Sequence, residues 1–335
     1  MAEEHVKLGH GSGGVLTRRL IERTILEFFD SPRLAPLPDS AALELDGRLA
    51  FTTDSYVVDP IFFPGGDIGK LAVFGTVNDL AVTGAIPRYL SCGLILEEGL
   101  PFDDLRGILR SMKEAAEATG VEVVTGDTKV VPRGSADRIF INTAGIGQFA
   151  DGAVTPGGQV RETDVIIVSG PLGDHGAAVL SRREGLNLES TIVSDCAPLT
   201  EVAQAVTANA ERVAFMRDLT RGGLATVLNE ATGGDRPGLV LDGPRIPVRD
   251  EVRAICELLG LDPLYLACEG RLAAVVDEES HEKVLAAMRE TEVGAACCAI
   301  GRATREYPGE VALETEFGTK RLLQMLSGEQ LPRIC

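Results

Sequence analysis

The strongest constraint on the fold is a break near the middle of the chain, at Thr155-Pro156-Gly157-Gly158. Proline and adjacent glycines interrupt both helices and strands, so this tetrapeptide predicts a boundary between two folding units. A chain of 335 residues is also too long for one typical hydrophobic core and fits two domains of roughly 150 residues each. We expect domains at residues 1–155 and 156–323, followed by a tail at residues 324–335.

Helical and extended patterns alternate on both sides of this break, which is typical of a two-domain α/β arrangement within the α+β class. Apolar residues make up 44% of the chain, aromatic residues only 4%, and tryptophan is absent, so the cores should consist of leucine, valine, isoleucine and alanine. Beyond a first helix that follows residue 14, the predicted helices lie at residues 66–84, 102–119, 198–209, 223–231, 252–259 and 279–289. The predicted strands lie at residues 88–96, 121–124, 138–146, 165–168, 239–241, 272–276 and 296–300.

Two turns are predicted from glycine-containing dipeptides in the first half. Asp46-Gly47 separates apolar stretches at residues 42–45 and 49–53, a pattern that predicts a β-hairpin with Asp54 just after its second strand. Gly126-Asp127 follows the strand at residues 121–124, and residues 125–129 are expected to form a turn.

Charge and cysteine content exclude several classes of protein. The formal charge of −18 argues against a nucleic-acid partner, because a phosphate backbone requires clustered lysine and arginine. The N-terminus has no basic and apolar leader, and no run of roughly 18 apolar residues occurs, so we expect a cytoplasmic protein without membrane segments. The seven cysteines include no Cys-x-x-Cys pair and no Cys/His spacing suited to zinc, and we expect reduced thiols.

The chain ends on a cysteine, Cys335, after a lead that contains Gly328 and Pro332. Thiolates are strong nucleophiles that carry acyl groups, and residues 324–335 would span roughly 40 Å if extended. We therefore expect a mobile tail that presents Cys335 to a site elsewhere in the molecule. An ordinary exposed thiol is the alternative, and the position alone does not decide between the two.

Three aspartates of the first domain lie where a turn, a strand end or a helix is predicted: Asp54, Asp79 and Asp127. Grouped carboxylates repel one another unless a cation joins them, and hard oxygen ligands favour Mg²⁺ bound to a substrate polyphosphate. The joint pattern predicts a nucleotide–metal site. Taken singly, each aspartate is commonly a turn former or a helix cap.

Two glycine-containing loops that precede helices are candidate phosphate sites. Gly11-Ser12-Gly13-Gly14 exposes backbone amides ahead of a helix, although it lacks the lysine of a Walker loop and the spacing of a dinucleotide fingerprint. Asp218 and Arg221 precede Gly222-Gly223, where a carboxylate and a guanidinium suit a phosphate clamp. A capped helix start is the alternative for this second segment.

Glu269-Gly270 lies immediately before an apolar strand. A carboxylate at such a position is a candidate general base because the strand holds it rigidly. A solvated strand end explains the same pattern equally well, so the other motifs have to support the assignment.

Seven groups of residues together form a recognisable family pattern: His10-Gly11-Ser12-Gly13-Gly14, Thr53-Asp54-Ser55, Gly66 to Lys70 with Thr76 to Ala81, Gly126-Asp127-Thr128-Lys129, Asp218 to Gly223, Glu269-Gly270 and Pro332-Arg333-Ile334-Cys335. Over essentially the whole chain, this pattern resembles the HypE family, the carbamoyl dehydratases of nickel–iron hydrogenase maturation. The central segments are shared with aminoimidazole ribonucleotide synthetase, selenophosphate synthetase and thiamine-monophosphate kinase. The Pro-Arg-Ile-Cys ending is particular to the HypE family.

The resemblance implies a homodimer in which the N-terminal domains pair into an intersubunit β-barrel, with an α+β C-terminal domain outside and ATP bound near the interface. It implies that Cys335 receives a carbamoyl group from the carbamoyltransferase HypF, that ATP-dependent dehydration yields a thiocyanate, and that cyanide passes to iron on a HypC–HypD complex. The implied ATP and phosphate contacts are Gly11, Ser12, Gly13, Gly14, Asn78, Thr128, Lys129, Asp218 and Arg221. The implied Mg²⁺ ligands are Asp54, Asp79 and Asp127.

The candidate residues named above can supply the groups that this reaction requires. Amide oxygen leaves poorly unless ATP phosphorylates it, and the nitrogen must lose two protons, so a base near the tail is required. Glu269 is the first candidate for that base and His10 the second. Lys129 and Arg221 would stabilise charge on the transferring phosphoryl group.

Three alternatives make different demands on the sequence. A selenophosphate synthetase normally has cysteine or selenocysteine beside the N-terminal glycine loop, where this chain has His10. Aminoimidazole ribonucleotide synthesis would give the Cys335 thiol no role in the reaction. A non-catalytic thiol carrier would not bind Mg²⁺-ATP, and a binding measurement separates it from an ATP-dependent enzyme.

Overall fold

The computed structural model describes residues 4–29, 31–34, 37–183, 190–326, 328 and 334. Its N-terminal half is built on a four-stranded mixed sheet. The helices and strands of this half are α1 (Val15–Leu20), β1 (Leu49–Tyr56), β2 (Phe62–Phe63), β3 (Gly66–Asp67), α2 (Ile68–Val82), β4 (Ile86–Glu97), α3 (Phe102–Thr119), β5 (Glu122–Val131) and β6 (Ile139–Gln148).

The strand order of this sheet is β1-β6-β4-β5, which places β1 and β5 at opposite edges. Only the β4–β5 pair is parallel, and α3 provides the crossover that a parallel pair requires. The helix predicted at residues 102–119 is confirmed to the residue, because its apolar positions recur at helical spacing and Gly120 ends it in the left-handed conformation.

The C-terminal half contains a seven-stranded mixed sheet of order β13-β12-β9-β11-β7-β10-β8. Its helices and strands are β7 (Val165–Val168), α4 (Asp174–Ser181), α5 (Thr200–Asn209), β8 (Val213–Asp218), α6 (Gly223–Ala231), β9 (Gly238–Asp242), α7 (Asp250–Leu259), β10 (Leu272–Val276), α8 (His281–Arg289), β11 (Cys298–Thr304), β12 (Val311–Glu314) and β13 (Lys320–Leu323). Strand β10, next to the edge strand β8, is buried on both faces, with α5 and α8 packed on one side and α6 on the other.

Helix α2 joins the two halves. It is buried around most of its circumference, because it packs on the N-terminal sheet and α3 and also contacts α5 and β8 of the C-terminal half. Asp67 caps its start by accepting hydrogen bonds from the amides of Gly69 and Lys70. This packing places Asn78 and Asp79, near the helix end, at the junction between the two halves.

Both glycine-based turn predictions in the first half are wrong. Residues 42–45 form no strand, and β1 pairs with β6 along its whole length, so Asp54 lies inside a strand rather than after one. Residues 125–129 are also extended, because β5 continues to Val131 beside β4. A Cβ atom at Gly126 would lie 2.3 Å from the Cys92 carbonyl oxygen, so this glycine permits a close approach of two strands rather than a turn.

The outer face of the N-terminal sheet has exposed apolar side chains among polar ones. Phe51 on β1 is 72% exposed, and Leu49 and Ile95 are also exposed large hydrophobic side chains of this sheet. On an otherwise acidic surface, such side chains indicate an interaction surface. Among the described helices, none combines the length and the apolar character needed to cross a bilayer.

Candidate active site

Carboxylates from both halves of the chain meet at the domain junction. Asp54 comes from β1, Asp79 from α2, Asp218 from the end of β8, and Glu269 from the loop before β10. Burial, followed by the negative charges of Asp79 and Asp54, raises the pKa of Asp218 to about 7. Burial also raises the pKa of Asp79, against a hydrogen bond that the Thr52 hydroxyl donates to its Oδ2 at 2.9 Å. Four of the sequence-predicted residues, Asp54, Asp79, Asp218 and Glu269, therefore share one electrostatic environment.

The backbone of Glu269 is anchored within this cluster by a hydrogen bond and by close packing of the next residue. Its amide donates to Asp195 Oδ1 at 3.0 Å, and its side chain is buried with an Oε1 atom that has no hydrogen-bond partner among the described residues. A Cβ atom at Gly270 would lie 1.9 Å from the Asp195 carbonyl oxygen, so only glycine fits after Glu269. Burial, then the charges of Asp218 and Asp195, raises the pKa of the Glu269 carboxyl well above its ordinary value.

Arg221, in the loop after β8, is a cation that acts on the Glu269 carboxylate. Its charge lowers the pKa of Glu269, against the stronger effect of burial. Gly222 and Gly223 adopt positive φ angles, and a Cβ atom at Gly223 would meet the Leu266 carbonyl oxygen at 2.6 Å. The two glycines therefore let α6 begin directly against the segment that leads to Glu269.

The N-terminal glycine loop lies against the opposite edge strand, β5. A Cβ atom at Gly11 would lie 2.4 Å from the Val130 amide nitrogen, which explains why this position is glycine. His10 is buried: its Nδ1 accepts from the Lys7 amide at 2.9 Å, and its ring packs edge-on against Phe102. A cavity of about 200 Å³ lies between this loop and β5, lined on the β5 side by residues that include Asp127, Thr128 and Lys129.

Asp127 and Asp54 are separated within one chain. Asp54 pairs with Thr143, Thr143 with Cys92, and Cys92 with Gly126, so the row from Asp54 to the residue before Asp127 crosses three strand spacings, roughly 14 Å. Asp127 is exposed and forms an ion pair with Lys129 at 3.0 Å, which lowers the pKa of its carboxyl.

The donor set at the junction suits Mg²⁺ only in part. Across the described residues, no three His, Cys, Asp or Glu side chains lie close enough together to hold a metal ion. Mg²⁺ usually takes one or two carboxylates and completes its shell with water and phosphate oxygens. Asp54 and Asp79 fit that minimal contribution, since the charge of Asp54 adds to the raised pKa of Asp79 and a cation would offset it.

The sequence predicts that Asn78 contacts phosphate, but the structure shows its side chain hydrogen bonded to three backbone groups of the C-terminal half. Its amide donates to the Ala197 carbonyl at 3.1 Å and to the Glu269 carbonyl at 3.3 Å, and its Oδ1 accepts from the Leu199 amide at 2.7 Å. These bonds tie α2 to the C-terminal half, and a contact of Asn78 with phosphate stays a prediction.

The predicted carrier, Cys335, lies outside the described residues. The residue before it, Ile334, is described and is only 4% exposed. Its carbonyl oxygen is hydrogen bonded to His175 Nε2 at 2.8 Å. His175 and Asp195 have no spacing signal that relates them to Glu269, and both were absent from the sequence-based site.

Comparisons with known proteins decide the family. Residues 38–149 match the AIR synthase related protein N-terminal domain, and residues 161–314 match the AIR synthase related protein C-terminal domain. The chain is 52% identical over 338 aligned positions to the carbamoyl dehydratase HypE of Rhodobacter capsulatus, covering 100% of this chain and 99% of that protein. The chain belongs to the HypE family of carbamoyl dehydratases.

Solved HypE structures have the same fold. A crystal structure of the hydrogenase maturation protein HypE in complex with ATP superimposes with a TM-score of 0.92 at 50% identity, covering 98% of this chain and 99% of that one. HypE in a crystal structure of a HypE–HypF complex superimposes with a TM-score of 0.79 at 43% identity, covering 91% and 99%. The HypE family assignment inferred from the motifs is therefore confirmed.

Proposed function

We propose that this protein dehydrates a carbamoyl group carried on its own Cys335 to a thiocyanate, using ATP, and so supplies cyanide ligands for the iron of nickel–iron hydrogenase. One observation carries the proposal: Ile334, the residue before Cys335, is buried at the same junction as Glu269. A short chain of contacts connects Ile334 to Glu269. His175 contacts both the Ile334 carbonyl and the Ser194 hydroxyl, and the next residue, Asp195, accepts a hydrogen bond from the Glu269 amide. A buried carboxylate, one oxygen of which has no partner among the described residues, is thus connected through these contacts to Ile334.

The reaction removes one oxygen and two protons from S–C(=O)–NH₂. Transfer of the γ-phosphoryl group of ATP to the amide oxygen creates a phosphate leaving group, and loss of both N–H protons accompanies formation of the C≡N bond. We assign one of these protons to the free Oε1 of Glu269. Burial raises the pKa of Glu269, so its ionised form is a stronger base than an exposed glutamate.

Phosphate binding is assigned to groups near the two opposite edges of the N-terminal sheet. The glycine loop at residues 11–14, Thr128 and Lys129 border the cavity next to β5, while Asp218 and Arg221 border Glu269. Lys129 and Arg221 would balance negative charge on the transferring phosphoryl group. Mg²⁺ would neutralise the polyphosphate, with Asp54, Asp79 and Asp127 as its proposed ligands.

A homodimer is part of the proposal. Because Asp54 and Asp127 lie at opposite edges of the sheet in one chain, a single metal site with both requires a second subunit. The exposed Leu49, Phe51 and Ile95 support pairing of two such sheets into a β-barrel. We further propose HypF as the carbamoyl donor, as the solved HypE–HypF complex suggests, and a HypC–HypD complex as the acceptor of cyanide.

The domain organisation follows from the same observations. We propose an ATP-binding and dimerisation domain at residues 1–155, an α+β domain at residues 156–323 and a tail at residues 324–335. The separate sheets and the two family matches, which meet between residues 149 and 161, support the first boundary. The buried Ile334 represents one docked position of a tail that has to reach HypF at another stage.

Intact-mass analysis tests this function. Incubation with HypF and its carbamoyl donor should add one carbamoyl group, and Mg²⁺-ATP should then remove the mass of one water. Cys335→Ser should show neither change, whereas Cys298→Ser, at the only described cysteine that is not buried, should show both. Carbamoylation at another cysteine, or an adduct that never loses water, would contradict the proposal.

A further inference from the structure

His175 is a buried histidine that the proposed chemistry does not use. It lies in the first turn of α4 and has no exposed surface. Its Nδ1 is 2.8 Å from the Ser194 hydroxyl, its Nε2 is 2.8 Å from the Ile334 carbonyl oxygen, and its ring packs edge-on against Phe63 with centroids 5.2 Å apart. One imidazole therefore contacts three separate segments of the chain.

The partners of His175 determine which nitrogen carries the proton. A carbonyl oxygen only accepts, so Nε2 must donate to Ile334. Burial lowers the pKa of His175 to about 4, which leaves a neutral ring whose Nδ1 accepts from the Ser194 hydroxyl. The Ser194 oxygen in turn accepts from the Cys196 amide at 3.1 Å. The result is a directional chain of donors that ends on the tail.

Ile334 itself is anchored by both halves of the molecule. Its side chain belongs to a buried cluster that includes Phe63 from the first half and Val179, Cys196 and Ala267 from the second. Its carbonyl is part of the peptide bond to Cys335, and that bond is planar. Holding this carbonyl therefore restricts where the amide of the next residue lies.

The bond between His175 and the tail is favourable for a further reason. A buried N–H group without an acceptor is costly, because it has exchanged water for an apolar environment. When the tail is absent from the junction, Nε2 loses the only acceptor that the described residues supply to it. The neutral, pre-oriented imidazole thus favours the docked tail.

We propose that His175 is a positioning residue that latches the Ile334–Cys335 peptide at the domain junction, with Ser194 selecting the tautomer that makes the latch. This inference rests on the proposed function for its benefit to catalysis, because it would place the modified thiol for dehydration. It does not make His175 a base or a nucleophile, since both ring nitrogens already have partners.

Two substitutions separate the latch from simple packing. His175→Phe keeps a ring of similar size against Phe63 but removes the donor, whereas His175→Gln keeps an N–H group that reaches a similar position. We expect His175→Phe to slow single-turnover dehydration by about tenfold or more, as misplacement of a reacting group does, while ATP affinity stays at the wild-type value and carbamoylation by HypF is not slowed. His175→Gln should restore most of the lost rate.

A second readout needs no reaction of the carbamoyl group. In the unmodified protein, alkylation of Cys335 by iodoacetamide, followed by peptide mass spectrometry, should be faster in His175→Phe and near wild type in His175→Gln. Alkylation of Cys298 provides the internal control and should not change. If wild type shows no ATP-dependent loss of water, the proposed function fails, but the alkylation rates still test the latch.

Wild-type dehydration and wild-type Cys335 alkylation in a folded His175→Phe variant would overturn the proposal. Should that variant not fold, Ser194→Ala tests the same chain of hydrogen bonds with a smaller change to the core. It should increase alkylation of Cys335 but not of Cys298. Unchanged alkylation in a folded Ser194→Ala variant would then overturn the proposal.

Discussion

The side-chain amide of Asn78 donates to the backbone carbonyl of Glu269 at 3.3 Å, although the two residues are 191 positions apart in the sequence. Asn78 lies in the last turns of a helix that is buried between the two halves, and Glu269 lies in the loop before β10 of the second sheet. The backbone of the proposed base is therefore held by the other domain. A shift of one half relative to the other would move the base directly.

Glu269→Gln should reduce the rate of dehydration by about 100-fold or more, because glutamine keeps the size of the side chain but does not accept a proton. Single-turnover loss of water from the carbamoylated protein measures this rate. Glu201→Gln, at an exposed position in the first turn of α5, serves as the matched control. A wild-type rate in Glu269→Gln would exclude this residue as the base and make His10 the next candidate.

Asp79→Asn should weaken Mg²⁺-ATP turnover by on the order of tenfold or more, the size of effect that loss of a metal-supporting group produces. The amide keeps the acceptor for the Thr52 hydroxyl, so the fold and the dimer should remain intact. ATP hydrolysis at several Mg²⁺ concentrations tests the change, with the exposed Asp151→Asn as control. Identical Mg²⁺ dependence in the two variants would remove Asp79 from the site.

Phe51→Asp should dissociate the dimer, because it puts a charge on the apolar outer face of the N-terminal sheet, which the barrel would bury. Phe317→Asp provides the matched control, since Phe317 is even more exposed, at 83%, but lies in the C-terminal half. Light scattering after size exclusion measures both masses. A dimeric Phe51→Asp variant would rule out pairing through this face.

Without nucleotide or metal, Asp218 should make the protein less stable as the pH rises. Its pKa is about 7 in the folded state and 3.8 ordinarily, so between these values the folded state binds more protons than the unfolded state. The free energy of unfolding should therefore fall with pH across this window, with a slope from this group of at most about 1.4 kcal/mol per pH unit.

Asp218→Asn should flatten that dependence and should gain stability over wild type as the pH approaches and passes 7. Urea unfolding of both proteins across the window measures the difference, and the titrations of carboxyl groups outside this cluster cancel in the comparison. If the free energies of unfolding of the two proteins changed with pH in parallel, Asp218 would not have the raised pKa that burial beside other carboxylates gives it. Added Mg²⁺ should reduce the difference, since a cation offsets the repulsion from Asp54 and Asp79.

Local patterns were predictable where the physical cause is local. The spacing of apolar side chains along α3 depends only on helix geometry, and its bounds were predicted correctly. The glycine of Asp46-Gly47 does adopt a positive φ angle, but the expected hairpin is absent because β1 finds its partner in β6, far along the chain. The Gly126-Asp127 pattern predicts a turn, whereas the structure shows that Gly126 lets β5 approach β4 closely.

The sequence by itself determined the family, the two-part architecture and the types of residue available for chemistry, because motifs and periodicity are properties of neighbouring positions. Only the tertiary structure decided which of those residues meet. It brought Asp218 and Glu269 of the second half to Asp54 and Asp79 of the first, left Asp127 at the far edge of the sheet, and placed His175 against Ile334. The physical reason is that burial, strand pairing and packing of α2 between two sheets depend on contacts between residues far apart in the sequence, which no local pattern encodes.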